Sequence, residues 1–207
     1  MRKFGLFGIL GLLVIMLSSC AYSAKITDTG NVYNLPTIQG APKIILADLV
    51  DNRADKVKIG QVGALQLKSQ TAINIVLTNR IASRLRNEGF NVQKANLSNR
   101  MDKGEMAEIL KSNNGNAFLS GGVDNFLVAS FDAIMEKGTG TTSFYVKIFD
   151  RDGKNIFNRT YSGHAENWIG MTGQFGCEKL IEDSMQASVD ELFRDGEFKH
   201  LLSEIKK

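Results

Sequence analysis

Cysteine, proline, histidine and tryptophan are all scarce in this 207-residue chain, at two, two, two and one. Two cysteines cannot build a disulfide framework, so the fold must stand on its core. The two histidines, His164 and His200, belong to no Cys/His/Asp cluster at ligand spacing, and no metal site is expected. Charge is nearly balanced, with 25 basic against 22 acidic residues. A nucleic-acid binder carries a clear basic excess, which is missing here. Phosphate loops are missing too: neither Gly121-Gly122 nor Gly138-Thr139-Gly140 is followed by Gly-Lys-Ser/Thr. No cofactor-binding pattern remains.

What is present begins at the amino terminus. Arg2 and Lys3 precede an apolar run, Phe4 to Leu17, which closes in Leu17-Ser18-Ser19-Cys20. As a helix that run spans about 21 Å, short of the roughly 20 apolar residues needed to cross a bilayer. A basic start, a short apolar core and small residues at its end form an export signal. With Leu17 and Cys20 in place, it resembles the signal peptide and lipobox of a bacterial lipoprotein. That resemblance implies cleavage after residue 19 and lipidation of Cys20. One acyl chain holds a protein only marginally, at about 0.8 kcal/mol per buried methylene, whereas the three chains of such an anchor leave very slowly. In that class an aspartate after the cysteine marks inner-membrane retention, so Ala21 implies the outer membrane, with the protein facing the periplasm. Losing Arg2 and Lys3 leaves 23 basic against 22 acidic residues, a nearly neutral mature chain.

Residues 20–42 read as a flexible tether, polar and broken by Gly30, Pro36, Gly40 and Pro42. Residues 43–207 read as one α+β domain. The run Lys43 to Val50 predicts a strand covered on both faces. Val57 to Lys68 alternates loosely, as a hairpin or a long loop. Ile73, Val76, Leu77, Ile81 and Leu85 form one apolar stripe within a helix over 69–89, with Gly89 at its end. A strand over 90–94 and a short helix over 103–111 follow. Residues 117–131 predict a strand with a bulge at Gly121-Gly122. The alternation of 142–150 and 155–164 around Asp150-Arg151-Asp152-Gly153-Lys154 predicts a hairpin. Cys177, Ile181, Met185, Val189 and Leu192 lie near one face of a long helix over 174–194, and a short helix over 197–205 closes the chain. The whole predicts a mixed sheet of about five strands, with its last three antiparallel, packed against two long helices.

The lipobox, the strand ending in Asp51-Asn52-Arg53 with Ile59-Gly60 after it, the helix end Leu85-Arg86-Asn87-Glu88-Gly89-Phe90, and the late run Phe157-Asn158-Arg159-Thr160-Tyr161-Ser162-Gly163 together resemble the YajG-type family of bacterial lipoproteins. The resemblance implies a fold similar to the amino-terminal domain of TolB. It carries no enzymatic activity, so it implies no catalytic residue.

Three places are candidate sites. Cys20 is the candidate lipidation site. Asp51, Asn52 and Arg53 form either a contact at a strand end or a turn closed on itself. Trp168, Ile169 and Met171 lie between Gly163 and Gly173, either capping a helix or making a protein contact. Cys177 and His164 carry no signature of a cysteine hydrolase. The expectation is therefore a non-enzymatic, membrane-anchored lipoprotein with an envelope protein as partner. The alternative is a module holding peptidoglycan, lipopolysaccharide or a transported lipid.

Overall fold

The computed structural model describes residues 21–24, 26, 33, 35–62, 65–95, 103–130, 136–169 and 174–206. Its strands are β1 (Ala21–Ala24), β2 (Lys43–Ala47), β3 (Val50–Asp51), β4 (Lys58–Val62), β5 (Leu65–Ser69), β6 (Asn91–Ala95), β7 (Ala117–Ser130), β8 (Glu136–Phe149) and β9 (Asn155–Ile169). Its helices are α1 (Ile73–Asn87), α2 (Lys103–Ser112), α3 (Gln174–Arg194) and α4 (Gly196–Ile205).

The 14-residue strand β7 organises everything else. On one edge it pairs antiparallel with β8, and β8 pairs with β9, as the alternation predicts. Its other edge is shared by three parallel partners in turn: β2 along 117–119, β3 along 122–123 and β4 along 128–130. β6 extends the sheet beyond β2, while β5 and then β1 extend it beyond β4. The sheet is mixed and the fold is α+β, as expected. It has nine strands among the described residues rather than about five, because the loosely alternating 57–68 stretch forms β4 and β5, β1 joins them, and the 43–50 run divides into β2 and β3.

Helix α1 buries its predicted stripe. Ile73, Val76, Leu77, Ile81 and Leu85 are all fully buried. It ends where glycine allows a left-handed turn. Gly89 has φ 88°, its N–H donates to Arg86 O at 2.9 Å, and Phe90 N–H donates to Leu85 O at 3.1 Å. Buried Phe90 and Leu85 complete this Schellman end.

Helix α1 also explains why 43–50 is two strands and not one. Leu49 N–H donates to Thr78 Oγ1 at 2.9 Å, and Leu49 O accepts from Asn74 Nδ2 at 2.8 Å. With its backbone groups bonded to a helix, Leu49 leaves the ladder. The apolar run is still two-faced: Ile44 and Leu46 join the main core, while Ile45 and Ala47 meet Met106 and Leu110 of α2 on the opposite face. The bulge in β7 falls between Val123 and Asn125, not at Gly121-Gly122. Those two glycines stay in register with Val146 and Tyr145. Gly121 is needed for close approach, since a Cβ there would stand 2.0 Å from Tyr145 O.

Helix α3 lies on β8 and β9 at very short range. A Cβ on Gly163 would meet Ser184 O at 2.0 Å and Ser188 N at 2.4 Å. Beside it, the hydroxyls of Thr142 and Ser184 share a fully buried hydrogen bond of 2.9 Å.

The tether expectation is corrected by the described part of 20–42. Ala21–Ala24 pairs parallel with β5, and Ala24 and Ile26 are buried in the main core. Arg86 Nη2 donates to Pro36 O at 2.7 Å, and Asn91 Oδ1 accepts from Ile38 N–H at 2.8 Å. Tyr22, Ala24 and Ile26 alternate as an edge strand does. The glycines and prolines downstream mask that signal.

Candidate functional site

Asp51, Asn52 and Arg53 leave the sheet just after β3. Arg53 Nε and Nη2 donate to Asp51 Oδ1 and Oδ2 at 2.8 and 2.7 Å. Nη2 also donates to Lys56 O at 2.9 Å, and the guanidinium lies 5.9 Å from the Phe126 ring centroid. The Arg53 and Asp51 side chains are 6% and 9% exposed. Burial alone would raise the Asp51 carboxyl. The hydrogen bonds and charge of Arg53 outweigh it and hold the group below its ordinary value. This is a closed staple on the 52–58 loop, so two of the three expected contact residues are spent internally. Asn52 is exposed, its Nδ2 donating to Asp124 Oδ1 at 3.0 Å. It lies over Gly122, beside the Tyr145 ring, on the face of the sheet opposite α3.

That face is open along the meander and mostly polar. Thr141, Ser143, Ser162, His164 and Glu166 lie on it, with half-exposed Leu127. His164 faces Glu166 at 3.4 Å. Cys177 sits on the other side, on the core-facing side of α3 and buried. Burial first, then the charge of Glu178, push its thiol up to about 11. The sheet separates thiol from imidazole, so they form no nucleophile–base pair.

Trp168 stands near the end of β9, opposite Lys137, and is 63% exposed. It caps no helix. Ile169 is the last residue of β9, while Met171 and Cys20 lie outside the described residues. The hairpin runs five residues past the predicted His164, because its inward side keeps alternating through Gly163 and Ala165.

A charged cluster at α4 has no counterpart in the sequence expectations. Asp195 caps α4, its Oδ1 accepting from Glu197 N–H at 2.8 Å and Phe198 N–H at 3.2 Å. Its Oδ2 accepts from Tyr161 Oη at 2.7 Å and Arg159 Nη1 at 2.8 Å, and Arg159 Nη2 also meets Glu197. Burial raises the Asp195 carboxyl, but these donors together bring it down to about 2. Tyr161 moves upward, through burial first and its bond to Asp195 second. Every member has a partner within the cluster, which fastens α4 to β9. The signal for it was Asp195-Gly196-Glu197, a capping residue with an acid in the first turn.

An open groove of about 710 Å³ lies between α2 and the β8–β9 turn, with Glu108, Lys111, Arg151 and Asp152 on its walls. Among the described residues no three His, Cys, Asp or Glu side chains are grouped to hold a metal, and no helix is long and apolar enough to cross a membrane.

No protein-family model matches the chain, and no curated protein matches it in sequence. Solved structures do match in shape. Protein XCC0632 from Xanthomonas campestris, of family model DUF330, is similar over 84% of this chain and 92% of its own, at 12% identity and TM-score 0.52. The lipoprotein GNA1162 from Neisseria meningitidis is similar over 74% of this chain and 99% of its own, at 14% identity and TM-score 0.46. The LpoB C-terminal domain from Escherichia coli is similar over 59% and 83%, at 13% identity and TM-score 0.33. The likeness to XCC0632 is one of fold, and a protein called a lipoprotein stands among the structural neighbours.

Proposed function

We propose that this chain is a lipid-anchored envelope protein that works by contact and not by catalysis: an outer-membrane lipoprotein whose periplasmic domain binds another envelope protein. The carrying observation is a junction. The lipobox ends at Cys20, and the sheet begins at Ala21. An export leader with a modifiable cysteine thus joins directly to a folded domain. Ala21 in place of aspartate supports the outer membrane, and the spread of matching residues supports membership of the YajG-type family. The obvious reactive groups are committed elsewhere: Cys177 to the core, Asp51 and Arg53 to each other. The partner surface we favour is the open sheet face with Asn52 and Tyr145.

Labelled palmitate fed to cells should enter the protein and disappear in Cys20→Ser. Wild type that takes no label, or a variant that takes as much, overturns the anchor. A photo-crosslinker at position 52 should capture one envelope protein in intact cells. Capture of none there overturns the partner surface.

The second reading, a ligand-binding module, is favoured by the groove beside α2. Its volume of about 710 Å³ falls within the usual range for small-molecule sites. Binding to purified sacculi, lost in a Lys111→Glu, Arg151→Glu variant, would support it.

A further inference from the structure

The sheet carries Trp168 to the same rim from which the anchor leaves. One ladder row crosses the whole upper sheet. Ala21 pairs with Gln66, Gln66 with Gln61, Gln61 with Ala129, Ala129 with Thr139, and Thr139 with Glu166. β1 runs inward from this rim, and its first residue, Ala21, stands on the row. β9 runs towards the rim, so Trp168 lies two residues outward of the same row. At about 3.3 Å per residue, Trp168 stands roughly 7 Å outward of the row that holds Ala21. The row spans about 24 Å from β1 to β9 at the usual strand spacing. Helix α3 packs chiefly on β9 and β8 and also reaches β1.

The side chains at this corner suit a lipid surface. Trp168 is the chain's only tryptophan, 63% exposed on the open part of the sheet face opposite α3. Lys137, exposed, is its direct neighbour on β8. Indole rings concentrate at the headgroup level of bilayers, where one edge is wet and the body apolar. A lysine beside the ring meets lipid phosphates. Ala21 already belongs to the sheet, so no free residue separates it from Cys20. The acyl chains therefore hold the rim against the headgroups, in the layer of roughly 5–7 Å between water and hydrocarbon.

We infer that this rim is a membrane seat. Trp168 enters the headgroup layer of the leaflet that holds the Cys20 chains, with Lys137 against the phosphates, and the domain stands end-on with a fixed orientation. This rests on the lipid-anchor reading given above.

The test uses the lipidated full-length mature protein in vesicles of phosphatidylethanolamine and phosphatidylglycerol, some with acyl chains brominated near the carbonyl. With one tryptophan, all indole emission is from Trp168. The expected result is blue-shifted emission, quenched by brominated lipid and shielded from iodide, with quenching reduced in Lys137→Glu. Flotation of the same sample reads the anchor separately. Protein that floats while Trp168 emits as in water overturns the seat and leaves the anchor standing. Protein that floats with blue-shifted emission and no bromine quenching assigns Trp168 to a protein contact and also overturns the seat. Wild type that fails to float, like Cys20→Ser, overturns the anchor and the seat with it.

Discussion

Gly163→Ala measures how tightly α3 is pressed on the sheet. The new methyl would stand 2.0 Å from Ser184 O and 2.4 Å from Ser188 N. Ordinary van der Waals contact begins near 3.4 Å, so backbone on one side must retreat by more than an ångström. Neither obstacle is a flexible side-chain end that can swing aside. Overpacking a filled core costs about 1–3 kcal/mol, and rigid backbone puts this site at the upper end. Retreat also stretches the buried 2.9 Å bond between Thr142 and Ser184, worth about 1 kcal/mol. The expected loss is about 3–4 kcal/mol, a large part of a stability of about 5–15 kcal/mol. At about 2–4 °C per kcal/mol for a chain of this size, the melting temperature falls by about 10 °C. Urea titration and thermal melts of Gly163→Ala and its parent supply the numbers. The control is Gly196→Ala at the start of α4, where a Cβ meets nothing within 4 Å, and helix propensity predicts a gain of about 0.5 kcal/mol. If Gly163→Ala melts within about 2 °C of the parent, α3 does not sit on β9 as described.

Arg53→Met should cost about 3–5 kcal/mol, because it leaves the buried Asp51 carboxylate without its partner. Adding Asp51→Leu should restore much of that, as a urea-based double-mutant cycle would register. Asp195 is held at about 2 in the fold against about 3.9 in an unfolded chain. Its contribution is complete above about pH 4 and vanishes as pH falls towards 2, so Asp195→Asn should flatten the stability–pH curve in that window. With its thiol at about 11, Cys177 is about one part in a thousand thiolate at pH 8. In Cys20→Ser protein it should resist maleimide until guanidinium unfolds the chain, and prompt labelling of the native state would show the thiol exposed.

The elements readable in the sequence are those whose pattern is complete within one segment. The α1 stripe, its glycine end and the β8–β9 alternation each describe a local surface that needs only some core to cover it. β3, β4, β5 and β1 fail that condition. Each is five residues or fewer, and three of them find parallel partners far along the chain: β1 on β5, β3 on β7, and β4 on β7, where Gly60 pairs with Val128. Leu49 marks the limit from the other side. Its side chain continues the apolar run, but its backbone is diverted by Thr78 and Asn74, nearly thirty residues on. The Asp51-Asn52-Arg53 motif was visible as a motif, yet composition cannot say which way an arginine points. Phe126 and the Lys56 carbonyl decide that it points inward.

The same distinction bears on how the domain meets its surroundings. A 20-residue leash would let every surface of the domain reach the membrane, and orientation would carry no meaning. A strand beginning at Ala21, next to the proposed lipid site, would remove that freedom. β8 runs from the Trp168 rim to the Asp150–Lys154 turn, 14 residues and about 40 Å when extended. If Cys20 is held in a leaflet, the groove lined by Glu108, Lys111, Arg151 and Asp152 would lie at the far end, turned to the aqueous side. A soluble ligand or partner reaches that end without crossing the headgroups. The open face with Asn52 and Tyr145 would then run between the two ends, roughly upright from the bilayer. A neighbour held in the same membrane can lie along it, and a seat at Trp168 would fix the height at which they meet.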